Sequence, residues 1–258
     1  MVEADYPNIV WTPCASHSID LLMEDIGALP WVEEVVKEAL TIVTFFTTKH
    51  KVLAIYREHS KLELKKPSST RFAYTWLLLD RLLEVKPFLR QCVVSTMWNE
   101  WDESGSQEAR DMQRQCLNEA FWVRAWAIVI AITPYYRALR MTDMEGATLG
   151  LLVHFMREAR EELSKSTVLE ANQLAELLSI VDDRYTFMVR PIHGLAALLH
   201  PAYKKPALFT DSELLTARDE FLPKVLPCEH HMSFLRELIC CNDQRGRAAF
   251  LSHVTSIL

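Results

Sequence analysis

Residues 30–48 read PWVEEVVKEALTIVTFFTT, and the fold class turns on how the end of this stretch is taken. TIVTFFTT is rich in β-branched and aromatic residues, the composition of a strand. The apolar positions point the other way. Val32, Val35, Val36, Ala39, Ile42, Val43 and Phe46 recur at intervals of three and four, a single helical stripe that continues through the β-branched end. Pro30 stands at the first helical position, where its missing N–H breaks no hydrogen bond. The expectation is one helix, and with it a mainly α, multi-helix protein.

Upstream, NIVWT (8–12) reads as the end of a short strand, at most a remnant of a β core. Thr12 and Pro13 then form a helix start, a hydroxyl N-cap followed by proline. In the helix that follows, Ile19, Leu22, Met23 and Ile26 share one side, whereas Cys14, His17 and Leu21 lie roughly opposite. Such a helix offers apolar groups on two faces. The expectation for His17 is a core or interface position with its ring nitrogens satisfied.

Downstream, a short helix over 51–59 leads into the polar loop SKLELKKPSST, where Ser69 or Thr70 can cap a helix over 71–94 that Pro87 should kink. NEWDESGSQE (99–108), acidic with Gly and Ser, reads as a linker. It divides the chain into residues 1–98, with the Cys-x-x-His helix and a basic segment, and a helical domain over 109–258. That domain is expected to hold a long helix over 110–139 kinked near Pro134. Helices over 149–163 and 169–189 follow, then a short IHGLAALLH helix and two or three tail helices (about 211–222, 229–241 and 244–257). No internal repeat of fixed period is present.

Hydrophobic residues make up 50% of the 258 positions and charged residues 24%, a globular balance rather than a disordered one. Six glycines are too few for an all-β protein with many tight turns. MVEADYPN has no basic segment followed by an apolar one, so no secretory signal is expected. The longest apolar run, AWAIVIAI (125–132), falls far short of the roughly 20 residues of a membrane span and reads as a core helix. The cysteines at 14, 92, 116, 228, 240 and 241 lack the spacing of a disulfide framework, so free, buried thiols of an intracellular protein are expected.

The formal net charge of −6 gives no global attraction to nucleic acid. Locally the balance reverses: Lys49, Lys51, Arg57, Lys61, Lys65, Lys66 and Arg71 face only Glu58 and Glu63 in the same stretch. A basic stripe of this kind is a candidate phosphate-contacting surface. A solvated loop accounts for the same charges.

Cys14-x-x-His17 admits three readings. A structural zinc site needs four ligands, usually two pairs. The one other dense cluster, Cys228, His230, His231, Cys240 and Cys241, lies at the opposite end of the chain, and its adjacent cysteines point about 100° apart on a helix. No metal is assigned. A Cys-His nucleophile needs an orienting partner that the sequence does not identify. Packing is the default. Gly-rich phosphate loops and H-E-x-x-H or G-x-S-x-G motifs are absent, and the pairs Glu33/Glu34, Glu161/Glu162 and Asp182/Asp183 sit on amphipathic helices as solvated faces. No cofactor and no small-molecule substrate are expected.

Four ordered segments nevertheless carry a resemblance. IVWTPCASHSIDLLMEDIG, SSTRFAYTWLLLDRLLEVKPFLR, EAFWVRAWAIVIAITPYYRALRMTD and VDDRYTFMVRPIHGLAALLHPAY resemble, in sequence and order, segments of plant transposases of the hAT superfamily and domesticated proteins derived from them. The resemblance implies a ribonuclease-H-like α/β core interrupted by a large helical insertion. Residues 1–29 would then carry a core strand's end and the helix after it, and the later block the inserted helices. That family cuts DNA with three metal-binding acidic residues, two on strands upstream of the Cys-x-x-His helix and one beyond the insertion. Asp5 has no preceding strand, and no counterpart is found of the last acidic helix, the BED-type zinc finger or the dimerisation segment. A truncated, catalytically inert fragment is therefore expected, since two-metal cleavage needs converging carboxylates. The resemblance also implies a nuclear location, DNA as partner and His17 as a secondary contact; the seven cations above, singled out by their charge, are the candidate phosphate contacts. The alternative is a helical module that joins a protein partner or a second copy of itself.

Overall fold

The computed structural model describes residues 5–6, 9–64, 73–145, 148–200 and 209–242, with the side chains of 239–242 excepted. Among these residues there are helices and no strands: α1 (Ala15–Gly27), α2 (Pro30–Thr48), α3 (His50–His59), α4 (Tyr74–Val94), α5 (Thr96–Asn99), α6 (Gln107–Leu117), α7 (Glu119–Thr142), α8 (Leu149–Ser164), α9 (Ala171–Met188), α10 (Pro191–Leu199), α11 (Ser212–Val225) and α12 (Cys228–Asn242). The protein is mainly α.

α2 runs unbroken through TIVTFFTT, and all seven residues of its predicted stripe are buried. The threonines adapt by bonding within the helix. The hydroxyls of Thr41, Thr47 and Thr48 donate to the carbonyls of Lys37, Val43 and Thr44, at 2.9, 2.7 and 2.8 Å. Periodicity thus prevails over β-propensity because it determines what can be buried.

Three expectations are corrected. Residues 9–14 have no regular structure, so the strand end expected at 8–12 is absent from its described part. A strand needs a neighbouring strand for its N–H and C=O groups, and none exists among the described residues. α1 consequently begins at Ala15, and the Cys14 carbonyl accepts from both the N–H and the hydroxyl of Ser18 at 3.0 and 2.9 Å. The long helix expected over 110–139 is two helices, α6 and α7, bent by 56° at Asn118. There the Asn118 side-chain oxygen accepts the Ala120 N–H at 3.1 Å, capping α7, and the Trp122 indole donates to the Cys116 carbonyl at 2.8 Å. Pro134 and Pro87 lie inside α7 and α4 without ending either helix.

The chain forms two compact units: residues 1–18, 138–161 and 181–258 in the first, and 19–137 with 162–180 in the second. The acidic stretch 99–108, expected to link domains, lies inside the second unit. Trp101 is buried within it, and the Ser106 hydroxyl caps α6 by accepting from the Ala109 N–H at 3.1 Å. Around Trp101 the second unit builds an aromatic core. Trp98 packs 5.6 Å from Trp101 and 6.2 Å from Phe46, which lies 6.0 Å from Tyr56.

The first unit is organised on α8, α10 and α11, whose Val153, Ala197, Leu198 and Leu214 form a buried apolar cluster. Close approach of these helices depends on Gly150, since a Cβ there would fall against the carbonyl oxygen of Ala196. Beside the cluster, the Arg157 guanidinium reaches Asp211 at 2.7 Å and Glu213 at 2.5 Å, and Tyr185 donates to Glu213 at 2.8 Å. Asp211 also caps α11, accepting from the Leu214 N–H at 3.0 Å.

Candidate nucleic-acid interface

Ile19, Leu22, Met23 and Ile26 of α1 are buried, as their spacing predicts. Cys14 and His17 are exposed and Leu21 is half-buried, so the helix is apolar-packed on one face only. Of the core or interface position expected for His17, the core is excluded by this exposure. The wheel places residues on faces, and tertiary packing decides which faces are covered. Between Cys14 and His17, the Ser16 and Thr142 hydroxyls share a 2.8 Å hydrogen bond.

Of the C-terminal cluster, the side chains of Cys240 and Cys241 lie outside the described ones. Cys228 and His230 are exposed, and the His231 ring bonds to the Leu226 carbonyl at 2.7 Å. No group of three or more His, Cys, Asp or Glu side chains that could hold a metal occurs among the described residues. The cysteines also divide differently from expectation: Cys92 and Cys116 are buried free thiols, whereas Cys14 and Cys228 are exposed.

The basic segment is partly neutralised by the fold. Lys49 lies 3.1 Å from Glu108 and 3.2 Å from Glu103, two carboxylates distant in sequence, and its ammonium sits over the Phe45 and Trp101 rings. Hydrogen bonds to Glu108 and then Glu103 hold its pKa above the ordinary lysine value. Arg57 grips Glu63 with two parallel bonds of 2.9 and 3.0 Å, which raise its pKa as well. Lys51 and Lys61 are exposed and make no ion pair among the described residues. Lys65, Lys66 and Arg71 lie outside the described residues.

Two surface groupings escaped the sequence. On α7, Val123, Trp126 and Ile130 are 52%, 45% and 38% exposed and form one ridge, while Phe121, Trp122, Ala125, Ile128, Ile132 and Tyr135 of the same helix are buried. The apolar run had implied burial all round. In the first unit, Trp11 and Phe187 meet edge to face with ring centroids 6.5 Å apart, and the Arg190 guanidinium lies 5.4 Å from the Trp11 ring centre. Nothing local in the sequence joins residues so far apart.

Arg190 is held in place by its own helix start. It is the N-cap of α10, Pro191 follows at the first position, and the Arg190 N–H donates to Nδ1 of the buried His193 at 3.0 Å. Burial pushes the His193 pKa down, which keeps the ring neutral and able to accept that bond.

A family model described as a domain of unknown function, DUF659, matches residues 1–42, the stretch containing Cys14, His17 and most of α2. DUF659 is associated with hAT-family transposase-like proteins. No curated protein and no solved structure matches the chain. Among the described residues no single helix is long and apolar enough to cross a membrane.

Proposed function

We propose that this protein derives from a plant hAT-type transposase and acts in the nucleus by holding nucleic acid rather than by cutting it. The observation that carries this reading is the exposure of Cys14 and His17. Side chains needed for packing are buried, and on α1 that role falls to Ile19, Leu22, Met23 and Ile26. The pair that carries the resemblance instead faces solvent, in the stretch matched by DUF659. Lys51 and Lys61 add two exposed cations suited to phosphate contact. A role without strand cleavage is supported by the engagement of acids in structural pairs, such as Glu38 with Arg124, Asp211 with Arg157 and Asp182 with Arg160.

Titration of a labelled DNA duplex, followed by fluorescence anisotropy at several salt concentrations, tests the reading. Affinity should fall as salt rises, and Lys51→Gln with Lys61→Gln should flatten the log–log slope by about 0.9 per lost phosphate contact. Wild-type protein without salt-sensitive binding sinks the proposal.

A second reading rests on the α7 ridge. Val123, Trp126 and Ile130 present large apolar side chains in a line, the chemistry of a protein-docking surface. A DNA-blind oligomer in light scattering that Trp126→Asp disperses supports this helical interaction module in place of nucleic-acid binding.

A further inference from the structure

Trp11 is 53% exposed and Phe187 47%, unusual for two large aromatic side chains in mutual contact. Their packing contribution is small for their size, because about half of each residue's surface stays in water. Two of the three side chains in their grouping with Arg190 stand on helix ends. Phe187 lies in the last turn of α9, and Arg190, over the Trp11 ring, is set by the α10 cap. Among the described residues Arg190 makes no ion pair with a carboxylate.

We propose that Trp11, Phe187 and Arg190 form a platform on which one base of a single-stranded nucleic acid stacks, with Arg190 reaching the adjoining phosphate. The inference rests on the nucleic-acid reading above and adds a subsite built from residues other than Lys51 and Lys61. The ligand class follows from the chemistry. An exposed indole edged by a second ring binds flat π-faces, and every base has one. A guanidinium beside it favours an anionic ligand and repels ammonium groups, which excludes a cation-binding aromatic cage. Duplex bases are already stacked on each other, so a single strand is the form that fits. DNA and RNA strands share this chemistry. A proline-rich peptide, which also docks on exposed aromatics, is the rival occupant.

The test uses the full chain and four labelled probes: an oligothymidine strand, an oligouridine strand, a DNA duplex of equal length and a polyproline peptide. Trp11→Ala should weaken strand binding roughly 5- to 150-fold and leave duplex binding unchanged. Trp11→Phe should retain most of the strand affinity, and thermal melting should show both variants folded. The two strands, read separately, report whether DNA or RNA is the better source of the base. If the wild type binds strands and duplex but Trp11→Ala changes neither, the platform is overturned and the lysine surface stands. If the wild type binds none of the nucleic acids, both readings fall. Trp11-dependent binding of polyproline without strand binding overturns the platform in favour of a peptide site.

Discussion

The ammonium of Lys49 lies 3.1 Å from the carboxylate of Glu108, a residue in the first turn of α6 and the last of the stretch that reads as a linker. With Glu103 at 3.2 Å, two acids converge on one lysine that the linear sequence assigns to a basic stripe. The first prediction follows directly. Lys49→Gln should leave affinity for duplex DNA and its salt slope nearly unchanged, whereas Lys51→Gln and Lys61→Gln should lower both. An equal loss for all three, measured by anisotropy, would show that Lys49 releases its acids to bind phosphate.

The Arg157 network predicts a pH dependence. Burial alone would raise the Asp211 carboxyl, but hydrogen bonds from Arg157 and the Leu214 N–H outweigh it and hold the pKa below the ordinary value. A carboxyl with a depressed folded-state pKa contributes stability that is complete above the unfolded value, about 4, and is lost as pH falls through the folded one. Urea midpoints should therefore drop below about pH 4, and Asp211→Asn should flatten that part of the profile. Arg157→Met should cost about 1–3 kcal/mol at neutral pH, because Asp211 and Glu213 lose a charged donor.

Gly150 predicts a reversal of helix propensity. Alanine in place of glycine inside a helix ordinarily stabilises by about 0.5–1 kcal/mol. Here the new Cβ would press on the backbone oxygen of Ala196, which has no flexible side chain to move aside. Gly150→Ala should destabilise by about 1–3 kcal/mol, the scale of core overpacking. A denaturation curve shifted to higher denaturant would refute the close approach of α8 and α10.

Thiol reactivity offers a check on burial. Cys92 is buried and its pKa is pushed up to about 12, and burial pushes Cys116 up as well. Cys14 and Cys228 are exposed. Under native conditions Cys14 and Cys228 should be alkylated before Cys92 and Cys116, with the order read by peptide mass mapping. Denaturation should abolish the difference among these four, since the thiolate is the reactive form and unfolding removes the desolvation.

Much of the fold was legible. In α2 the stripe Val32–Phe46 specified both helix and buried face, because the same residues that set the period fill the core. Where a helix could be drawn but its surroundings could not, the reading failed. Asn118 breaks α6 from α7, although its neighbours continue the apolar pattern; the break is stabilised by the Ala120 and Trp122 bonds, the second of them to Cys116. NEWDESGSQE has the composition of a linker, yet Trp101 inside it is buried against Trp98 and Phe45. One large aromatic can anchor a segment that is otherwise polar.

The candidate site was less legible still. Four of its seven cations lie in the described residues, and local sequence shows Glu63 near Arg57 but not Glu103 and Glu108 on Lys49. The sequence by itself determined the helices, their buried stripes and the Cys14-x-x-His17 marker, because these depend on contacts within a few turns of chain. Only the tertiary structure decided that His17 faces solvent, that Lys49 is neutralised, and that Trp11 meets Phe187 and Arg190. Exposure and charge pairing depend on residues brought together from distant parts of the chain, and periodicity carries no record of them.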